Sequence, residues 1–127
     1  MTAPGTPTTL TDEFITMWVE KYLSAWRSNA TADIEALFTE AAEYHEGPYK
    51  TDWIGRENIV AGWQGRWNWQ QGGWDFDWHV VSREGRTAVI AGVGRYVELG
   101  SFDNRWTVVF DDDGRCSRFD MVNTEQA

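Results

Sequence analysis

The sequence predicts an α+β protein whose helices pack on one face of a mostly antiparallel sheet. In the first half of the chain, apolar residues recur at the spacing of an amphipathic helix. From Trp74 onwards they alternate with polar residues, which is typical of strands. Short turns rich in Gly and Asp separate these strands, so neighbouring strands are expected to run antiparallel. With 127 residues, the chain has room for one domain.

Two helices are expected to open this domain, which is assigned to residues 11–127. Residues 1–10 are rich in Thr, Pro and Gly and are expected to form a disordered lead-in. The first helix is predicted over about 11–28, where one apolar stripe runs along the segment. A short second helix is predicted over about 32–38, and Thr31 can cap it. The stripe of the first helix consists of Phe14, Ile15, Trp18, Val19, Tyr22, Leu23 and Trp26.

The next segment is predicted to contain a short strand, a loop and a third helix. Residues 42–46 alternate like a strand, and a loop is expected from there to Gly55. In the helix that follows, Ile59, Trp63 and Trp67 lie on one line. This line indicates the face by which the third helix packs on the core.

Four strands are predicted in the remainder of the chain. The first begins at Trp74, and the others span about 86–99, 101–110 and 115–122. Together with the preceding segments they give the order helix, helix, strand, helix and four strands. This order is typical of a sheet that is covered by helices on one side.

Composition and charge exclude several classes of function. The chain has 11 Lys and Arg against 20 Asp and Glu, a net charge of −9, whereas nucleic acid binding needs a basic surface. No nucleic acid or membrane partner is therefore expected. Neither a secretion signal nor an apolar run of membrane-spanning length is visible, so a cytoplasmic protein is expected. Cys116 and the two histidines form no metal-binding pattern, and neither a metal nor a cofactor is expected.

Four stretches of the chain resemble the SnoaL-like branch of the nuclear-transport-factor-2-like superfamily. They are Tyr22–Trp26, Ile34–Ala42, Gly55–Ile59 and Phe110–Arg115 with the strand behind it. The likeness extends over about 12–122. It implies a cone-shaped, cystatin-like fold, in which three N-terminal helices cover a curved sheet and leave a pocket on its concave face. The superfamily contains isomerases, cyclases, epoxide hydrolases and non-enzymatic adaptors, so the fold alone does not decide the activity.

Tyr22 and Glu46 occupy positions that resemble those of two functional residues in ketosteroid isomerases. The resemblance implies that Glu46 shuttles a proton and that Tyr22 donates to the oxygen of a developing enolate. Trp106 stands where that family has a protonated aspartic acid, and it offers one N–H but no acid. The leading interpretation is cofactor-free isomerisation or cyclisation of an apolar substrate that contains a carbonyl group.

Two further interpretations use other polar residues. Tyr44 and Arg95 match the tyrosine and arginine of limonene-epoxide-hydrolase-like proteins. However, Glu46 replaces an asparagine of that family and Val97 a carboxylate, which makes epoxide hydrolysis the weaker candidate. Asp120 resembles the acidic residue of SnoaL-like cyclases and is the reserve acid, although the alternation along its strand leaves its face open.

Aromatic side chains, among them nine tryptophans, are expected to line the pocket and to bind a small apolar or aromatic ligand. The predicted ligand-binding residues are Trp18, Trp26, Tyr44, Trp63 and Trp106. His79 is expected on the outer side of the sheet, where the resemblance implies a homodimer contact. The competing interpretation is a non-catalytic binding or interaction domain, whose cone is filled by tryptophans or only holds a ligand. The catalytic and the non-catalytic interpretations differ in whether Tyr22 and Glu46 point into one open cavity.

Overall fold

The computed structural model describes residues 9–47, 51–70 and 72–126. Within these residues, the structure contains both helices and strands and confirms the predicted α+β class. They are α1 (Asp12–Ser28), α2 (Thr31–Glu35), β1 (Phe38–Gly47), β2 (Thr51–Ile54), α3 (Arg56–Gly65), a 3-10 turn (Trp67–Gln70), β3 (Trp74–Glu84), β4 (Thr87–Tyr96), β5 (Gly100–Phe110) and β6 (Cys116–Glu125).

The strands form one sheet in the order β2-β1-β6-β5-β4-β3. β1 runs parallel to β6, and all other neighbours are antiparallel, which confirms the mostly antiparallel sheet. The inner face of this curved sheet carries Tyr44, Trp106 and Phe119, which join the buried side chains of the helices in the core. The β1–β6 pairing sets Glu46 beside Met121, far away along the chain. The site described below depends on this pairing.

The first helix begins and ends almost as predicted. The Thr11 side chain accepts a hydrogen bond of 3.1 Å from the backbone N–H of Phe14, which satisfies a free donor at the helix start. Asn29 ends the helix in the left-handed conformation, at φ 57°, and its N–H donates to the Ala25 carbonyl. The apolar stripe is packed against the sheet, with Tyr22 buried. None of the helices in the described residues is long and apolar enough to span a membrane.

The ends of the strands shift by up to four residues from the prediction, as in β1, which begins at Phe38 and not at residue 42, and three segments differ more. The second helix is shorter than expected and ends at Glu35, because β1 already begins at Phe38. Part of the expected loop, Thr51–Ile54, forms the edge strand β2, and the Trp53 ring stacks on Tyr44 at 5.0 Å. Residues 48–50 of that loop lie outside the described residues.

The third difference concerns Trp67, which the sequence places on the buried line of the third helix. Helix α3 ends at Gly65, and glycine is a poor helix former. Trp67 therefore belongs to the 3-10 turn and is 50% exposed, whereas Trp63 is fully buried. Of the expected lead-in, residues 1–8 lie outside the described residues, and Leu10 is buried in the core.

Candidate functional site

A cavity of about 600 Å³ lies between α1, the 3-10 turn and the inner face of the sheet. Its walls are largely aromatic and include Trp26, Trp69, Trp74, Phe76, Tyr96 and Trp106. The rings of Phe76 and Trp106 stack in parallel, 5.0 Å apart, and so form one wall. This central cavity is open, because the tryptophans line it or lie behind it and do not fill it.

Two tyrosine hydroxyls meet at the cavity. Tyr22 comes from α1 and Tyr44 from β1, and their hydroxyl oxygens are 3.1 Å apart, so that one donates to the other. Burial, followed by the neighbouring tyrosine, raises the pKa of Tyr22 well above its ordinary value. Burial and then the charge of Glu46 likewise raise the pKa of Tyr44. Both hydroxyls are therefore protonated at neutral pH and act as hydrogen-bond donors.

Glu46 lines the same cavity, one inward position after Tyr44 on β1. Its side chain is only 3% exposed. The Oε1 atom lies 2.7 Å from Nη2 of Arg66, and Oε2 accepts a hydrogen bond of 3.1 Å from the Asn123 amide. The Arg66 N–H is not aligned for a hydrogen bond to Oε1, so this contact is an ion pair. A charged carboxylate at this depth is stable because it has both partners.

Arg66 is held between two indole rings. Its guanidinium lies 4.5 Å from the ring centre of Trp53 and 4.4 Å from that of Trp69, which is within the range of cation–π attraction. Its Nη2 atom also donates to the Thr51 hydroxyl at 3.1 Å. These contacts fix the guanidinium at one end of the cavity, where it faces Glu46.

A third tyrosine, Tyr96, lines the cavity from the end of β4. Burial raises its pKa to about 12, although the indole N–H of Trp26 stabilises the ionised form. Gln70 fastens this side of the cavity, because its side chain accepts from the Trp74 indole at 2.7 Å and donates to the Trp26 carbonyl. The 3-10 turn is thereby tied to α1 and β3.

The structure brings most of the sequence-predicted site residues together. Tyr22, Tyr44, Glu46, Trp26 and Trp106 all line the central cavity. The Trp106 indole N–H points at the Asn104 side-chain oxygen, 3.4 Å away.

Two of the predicted ligand-binding tryptophans lie in the core behind the cavity. Trp18 donates to the Leu37 carbonyl at 3.3 Å and packs against Phe38 and Phe110. Trp63 packs edge-on against the Tyr22 ring at 4.8 Å. These two side chains support the wall and do not line it.

The candidate reserve acid, Asp120, lies on the outer face of β6. It pairs with Arg118 at 2.9 Å and neighbours His45 on β1, whereas Met121 and Asn123 face the cavity. Alternation along the strand explains this placement, because residues at odd and even positions point to opposite faces. Asp120 is therefore separated from Glu46 by the sheet.

The arginine of the epoxide-hydrolase interpretation also points away from the cavity. Arg95 is exposed on the outer face, where it contacts Asp75 and Asp77, each at 2.7 Å. His45 lies on that face too, between Asp52 at 2.5 Å and Glu43 at 3.0 Å. The hydrogen bond to Asp52 raises the pKa of His45, but the imidazole and the cavity lie on opposite faces of the sheet. The arginine that matches the epoxide-hydrolase pattern, Arg95, is therefore not part of the cavity.

Sequence reasoning missed Arg66, Asn123 and Tyr96. Strand alternation could have found two of them, because Asn123 follows Phe119 and Met121 on the inner face of β6, and Tyr96 follows Gly94 on β4. Arg66 carries no such signal. It follows the last residue of α3 and becomes part of the site through its ion pair with Glu46 and its contact with the Trp53 ring, both distant along the chain.

Comparison with solved structures finds the same fold in several bacterial proteins. A protein of unknown function with a cystatin-like fold from Methylobium petroleophilum PM1 is 19% identical, with a TM-score of 0.74 over 94% of this chain and 82% of that one. A provisionally assigned isomerase of the SnoaL-like family from Agrobacterium tumefaciens C58 is 13% identical, with a TM-score of 0.71 over 88% and 98%. A provisionally assigned ketosteroid isomerase from Kribbella flavida DSM 17836 is 17% identical, with a TM-score of 0.65 over 91% and 82%.

At these identities the similarity establishes the fold and not the reaction. Among curated protein sequences, none is significantly similar to this chain. The sequence profile of the SnoaL-like domain, in contrast, matches residues 19–123, from the middle of α1 almost to the end of β6. This range contains every residue of the Tyr22, Tyr44, Glu46, Arg66 and Asn123 cluster, and the chain belongs to the SnoaL-like family.

Proposed function

We propose that this protein is a cofactor-independent acid–base enzyme, an isomerase or cyclase, that acts on a small apolar substrate containing a carbonyl group. One observation carries the proposal: the Glu46 carboxylate and the Tyr22–Tyr44 hydroxyl pair line the same aromatic cavity. An apolar wall with a few convergent polar groups is typical of small-molecule sites. The provisional names of two similar structures, an isomerase and a ketosteroid isomerase, agree with this class of reaction.

In the proposed reaction, Glu46 removes a proton from the carbon next to the carbonyl group. The C–H bond breaks, its electron pair delocalises onto the carbonyl oxygen as an enolate, and a new O–H bond forms on the carboxylate. We assign this step to Oε2, whose partner is the neutral amide of Asn123, because Oε1 faces the charge of Arg66. Return of the proton to a different carbon completes an isomerisation. For a cyclisation, the enolate carbon attacks a second carbonyl carbon of the same molecule; the C=O π bond at that carbon breaks, and its oxygen takes the proton back from Glu46.

The tyrosine pair supplies the donor for the enolate oxygen. One of the two hydroxyls donates to the other, which leaves the second proton of the pair free for the substrate. A donor that is already oriented in a water-poor cavity stabilises the developing negative charge without reorganisation. The hydrogen bond between Tyr22 and Tyr44 strengthens this donor, since linked hydrogen bonds polarise one another.

A second candidate function is ligand binding without turnover, and one observation favours it. Both oxygens of Glu46 already have a partner, Arg66 on one side and Asn123 on the other. Removal of a proton from the ligand by either oxygen would therefore weaken a contact that holds the carboxylate in place. In this alternative, the polar cluster of the cavity anchors a polar group of the ligand and performs no chemistry on it.

The two functions are separated by measuring solvent deuterium incorporation into β-tetralone, a neutral two-ring ketone with acidic protons next to its carbonyl. Mass spectrometry follows the exchange in D₂O with and without the protein. We expect the wild-type protein to accelerate exchange and the Glu46→Gln variant to lose about 100-fold of that acceleration, the lower end for a general base. Tyr22→Phe should lose a smaller factor, because Tyr44 retains its hydroxyl.

Glu43→Gln is the matched control, because Glu43 lies on the same strand but faces away from the cavity beside His45. Its exchange rate should equal that of the wild-type protein. If β-tetralone binds without accelerated exchange, the binding function replaces the catalytic one. Equal exchange by wild-type protein, Glu46→Gln and Tyr22→Phe would end the assignment of these residues.

The homodimer and the cytoplasmic location stay predictions. We propose the outer face of the sheet as the contact surface, because it carries exposed apolar side chains such as Val81 and Val122 as well as His79. Sedimentation velocity over a hundredfold range of protein concentration tests this association. A single monomeric species throughout would contradict it.

A further inference from the structure

Strand β4 presents two glycines, Gly92 and Gly94, toward the helices, at successive inward positions. Glycine weakens a strand by roughly 0.5–1 kcal/mol relative to alanine, because it is flexible in the unfolded chain and adds no packing. Neither of these residues has the positive φ angle that would require a glycine. The reason for each glycine must therefore lie in what surrounds it.

Gly92 is explained by packing. A Cβ atom at this position would lie 2.4 Å from the Phe76 ring and 2.6 Å from the Asp77 carbonyl oxygen. Such distances are far below van der Waals contact, so the Phe76 ring lies where a side chain of residue 92 would be. Because Gly92 has no side chain, the Phe76 ring can occupy this space and stack on Trp106 in the cavity wall.

Gly94 has no such explanation. A Cβ atom there would lie 3.4 Å from Tyr96, 3.6 Å from the Asn104 amide and 3.7 Å from Phe76, which are ordinary contact distances. All three of these neighbours line the central cavity, and so does Gly94 itself. A side chain at this position would fit the fold and would extend into the cavity. The missing side chain leaves space for a ligand.

We infer that Gly94 determines the size of the ligand, and that the ligand is a flat neutral molecule of two or three fused rings with an edge over Gly94. A cavity of about 600 Å³ is in the middle of the range for small-molecule sites. The stacked wall of Phe76 and Trp106 favours a flat ring system. The inference deepens the proposed function, because such a ligand has its carbonyl oxygen at the tyrosine pair and its apolar end at β4.

The test measures dissociation constants by equilibrium dialysis for three neutral ketones: cyclohexanone, β-tetralone and perinaphthenone, with one, two and three rings. We expect the wild-type protein to bind perinaphthenone and β-tetralone more tightly than cyclohexanone. In Gly94→Leu, the affinity for perinaphthenone should fall by at least about tenfold, a typical effect of one misfitting apolar group, while that for cyclohexanone stays within about twofold. Gly94→Ala should show the same order with a smaller loss.

Val93→Leu is the matched control, because it enlarges the neighbouring residue, whose side chain points to the outer face. Its three dissociation constants should equal those of the wild-type protein, and circular dichroism checks the fold of every variant. If Gly94→Leu does not fold, Gly94→Ala decides the question by the ratio of its affinities for perinaphthenone and cyclohexanone.

An equal loss for all three ketones in the Gly94 variants would overturn the inference, as would the absence of any binding to the wild-type protein. Failure of the proposed function looks different. In that case the ketones bind with the expected size dependence, but the protein does not accelerate deuterium exchange into β-tetralone.

Discussion

The guanidinium of Arg66 lies 2.7 Å from the carboxylate of Glu46, with 13% of the arginine and 3% of the glutamate side chain exposed. A charge so far removed from water is tolerated only while its partner is present. The ion pair also joins two distant parts of the chain, the residue after α3 and the end of β1. The geometry of the candidate base therefore depends on an arginine that is itself held in place by Trp53, Trp69 and Thr51.

Replacement of Arg66 by methionine should destabilise the fold strongly. The change retains an apolar stem between Trp53 and Trp69 but leaves the Glu46 charge without its partner. Breaking a buried ion pair on one side costs about 3–5 kcal/mol, and we expect the lower end because Arg66 keeps some contact with water. Urea denaturation followed by circular dichroism measures the loss in the free energy of unfolding.

The double variant Arg66→Met, Glu46→Gln is the control for this prediction. It removes both charges, so it should be more stable than Arg66→Met alone by at least about 1 kcal/mol. If the two single losses simply add in the double variant, the two side chains are not coupled and the prediction is wrong.

Removal of both hydroxyls of the Tyr22–Tyr44 pair should reduce the free energy of unfolding by less than the sum of the two single removals. Tyr44→Phe leaves the Tyr22 hydroxyl buried without its partner, and Tyr22→Phe does the same to Tyr44. An unsatisfied buried hydroxyl costs about 1–3 kcal/mol, whereas removal of both groups leaves none unsatisfied. A double-mutant cycle of unfolding free energies should give a loss for the double variant below the sum of the single losses. Strict additivity would contradict the pairing.

Local periodicity predicts the faces of the α1 and β1 residues at the cavity, whereas their choice as site residues rests on the resemblance to ketosteroid isomerases and epoxide hydrolases. Helical spacing places Tyr22 on the buried stripe, and strand alternation sets Tyr44 and Glu46 on one face. The structure has all three at the central cavity. Periodicity also predicts that Asp120 and its two neighbours point to opposite faces of the sheet. It does not say which of these faces is covered by the helices, because that depends on how the sheet packs. That choice became visible only with the structure.

The remaining part of the site depends on pairing between distant segments. Asn123 reaches Glu46 because β1 and β6 are parallel neighbours, a pairing that no local pattern announces. Arg66 follows a helix end, where a charged residue is usually solvated. The segment Thr51–Ile54 is short and has polar residues, so its local preference for a strand is weak. It forms the edge strand because it pairs with β1.

The two inward glycines of β4 should respond differently to alanine. Gly92→Ala places a methyl group within 2.4 Å of the Phe76 ring and close to a backbone oxygen. We expect a destabilisation of about 1–3 kcal/mol, as for other overpacked sites. Gly94→Ala makes only ordinary contacts and should leave stability unchanged or slightly raised, because alanine costs less backbone entropy than glycine. Thermal unfolding compares the two, and equal effects would contradict the difference in packing.

Alkaline pH should unfold the protein between about pH 10 and 12. Burial is the main cause that raises the pKa of Tyr22, Tyr44 and Tyr96, the last to about 12, whereas a tyrosine in the unfolded chain ionises near pH 10. Between these values the unfolded state releases protons that the folded state retains. The stabilisation is therefore complete below pH 10 and is lost as the pH rises toward the folded-state pKa values. In this window the ionisation of each tyrosine lowers the free energy of unfolding by about 1.4 kcal/mol per pH unit, so the three together lower it by about 4 kcal/mol per unit.

A loss of this size is comparable with the whole stability of a small domain, about 5–15 kcal/mol, so ionisation and unfolding should coincide. The steep rise in tyrosinate absorbance from Tyr22, Tyr44 and Tyr96 should coincide with the loss of far-ultraviolet circular dichroism recorded on the same samples. Tyr96→Phe removes one of these titrating groups and should make the fall in stability less steep by about 1.4 kcal/mol per pH unit. Gradual ionisation of these tyrosines near pH 10 with the circular dichroism unchanged would show that the hydroxyls at the cavity are solvated, and would remove the physical basis for treating them as oriented donors.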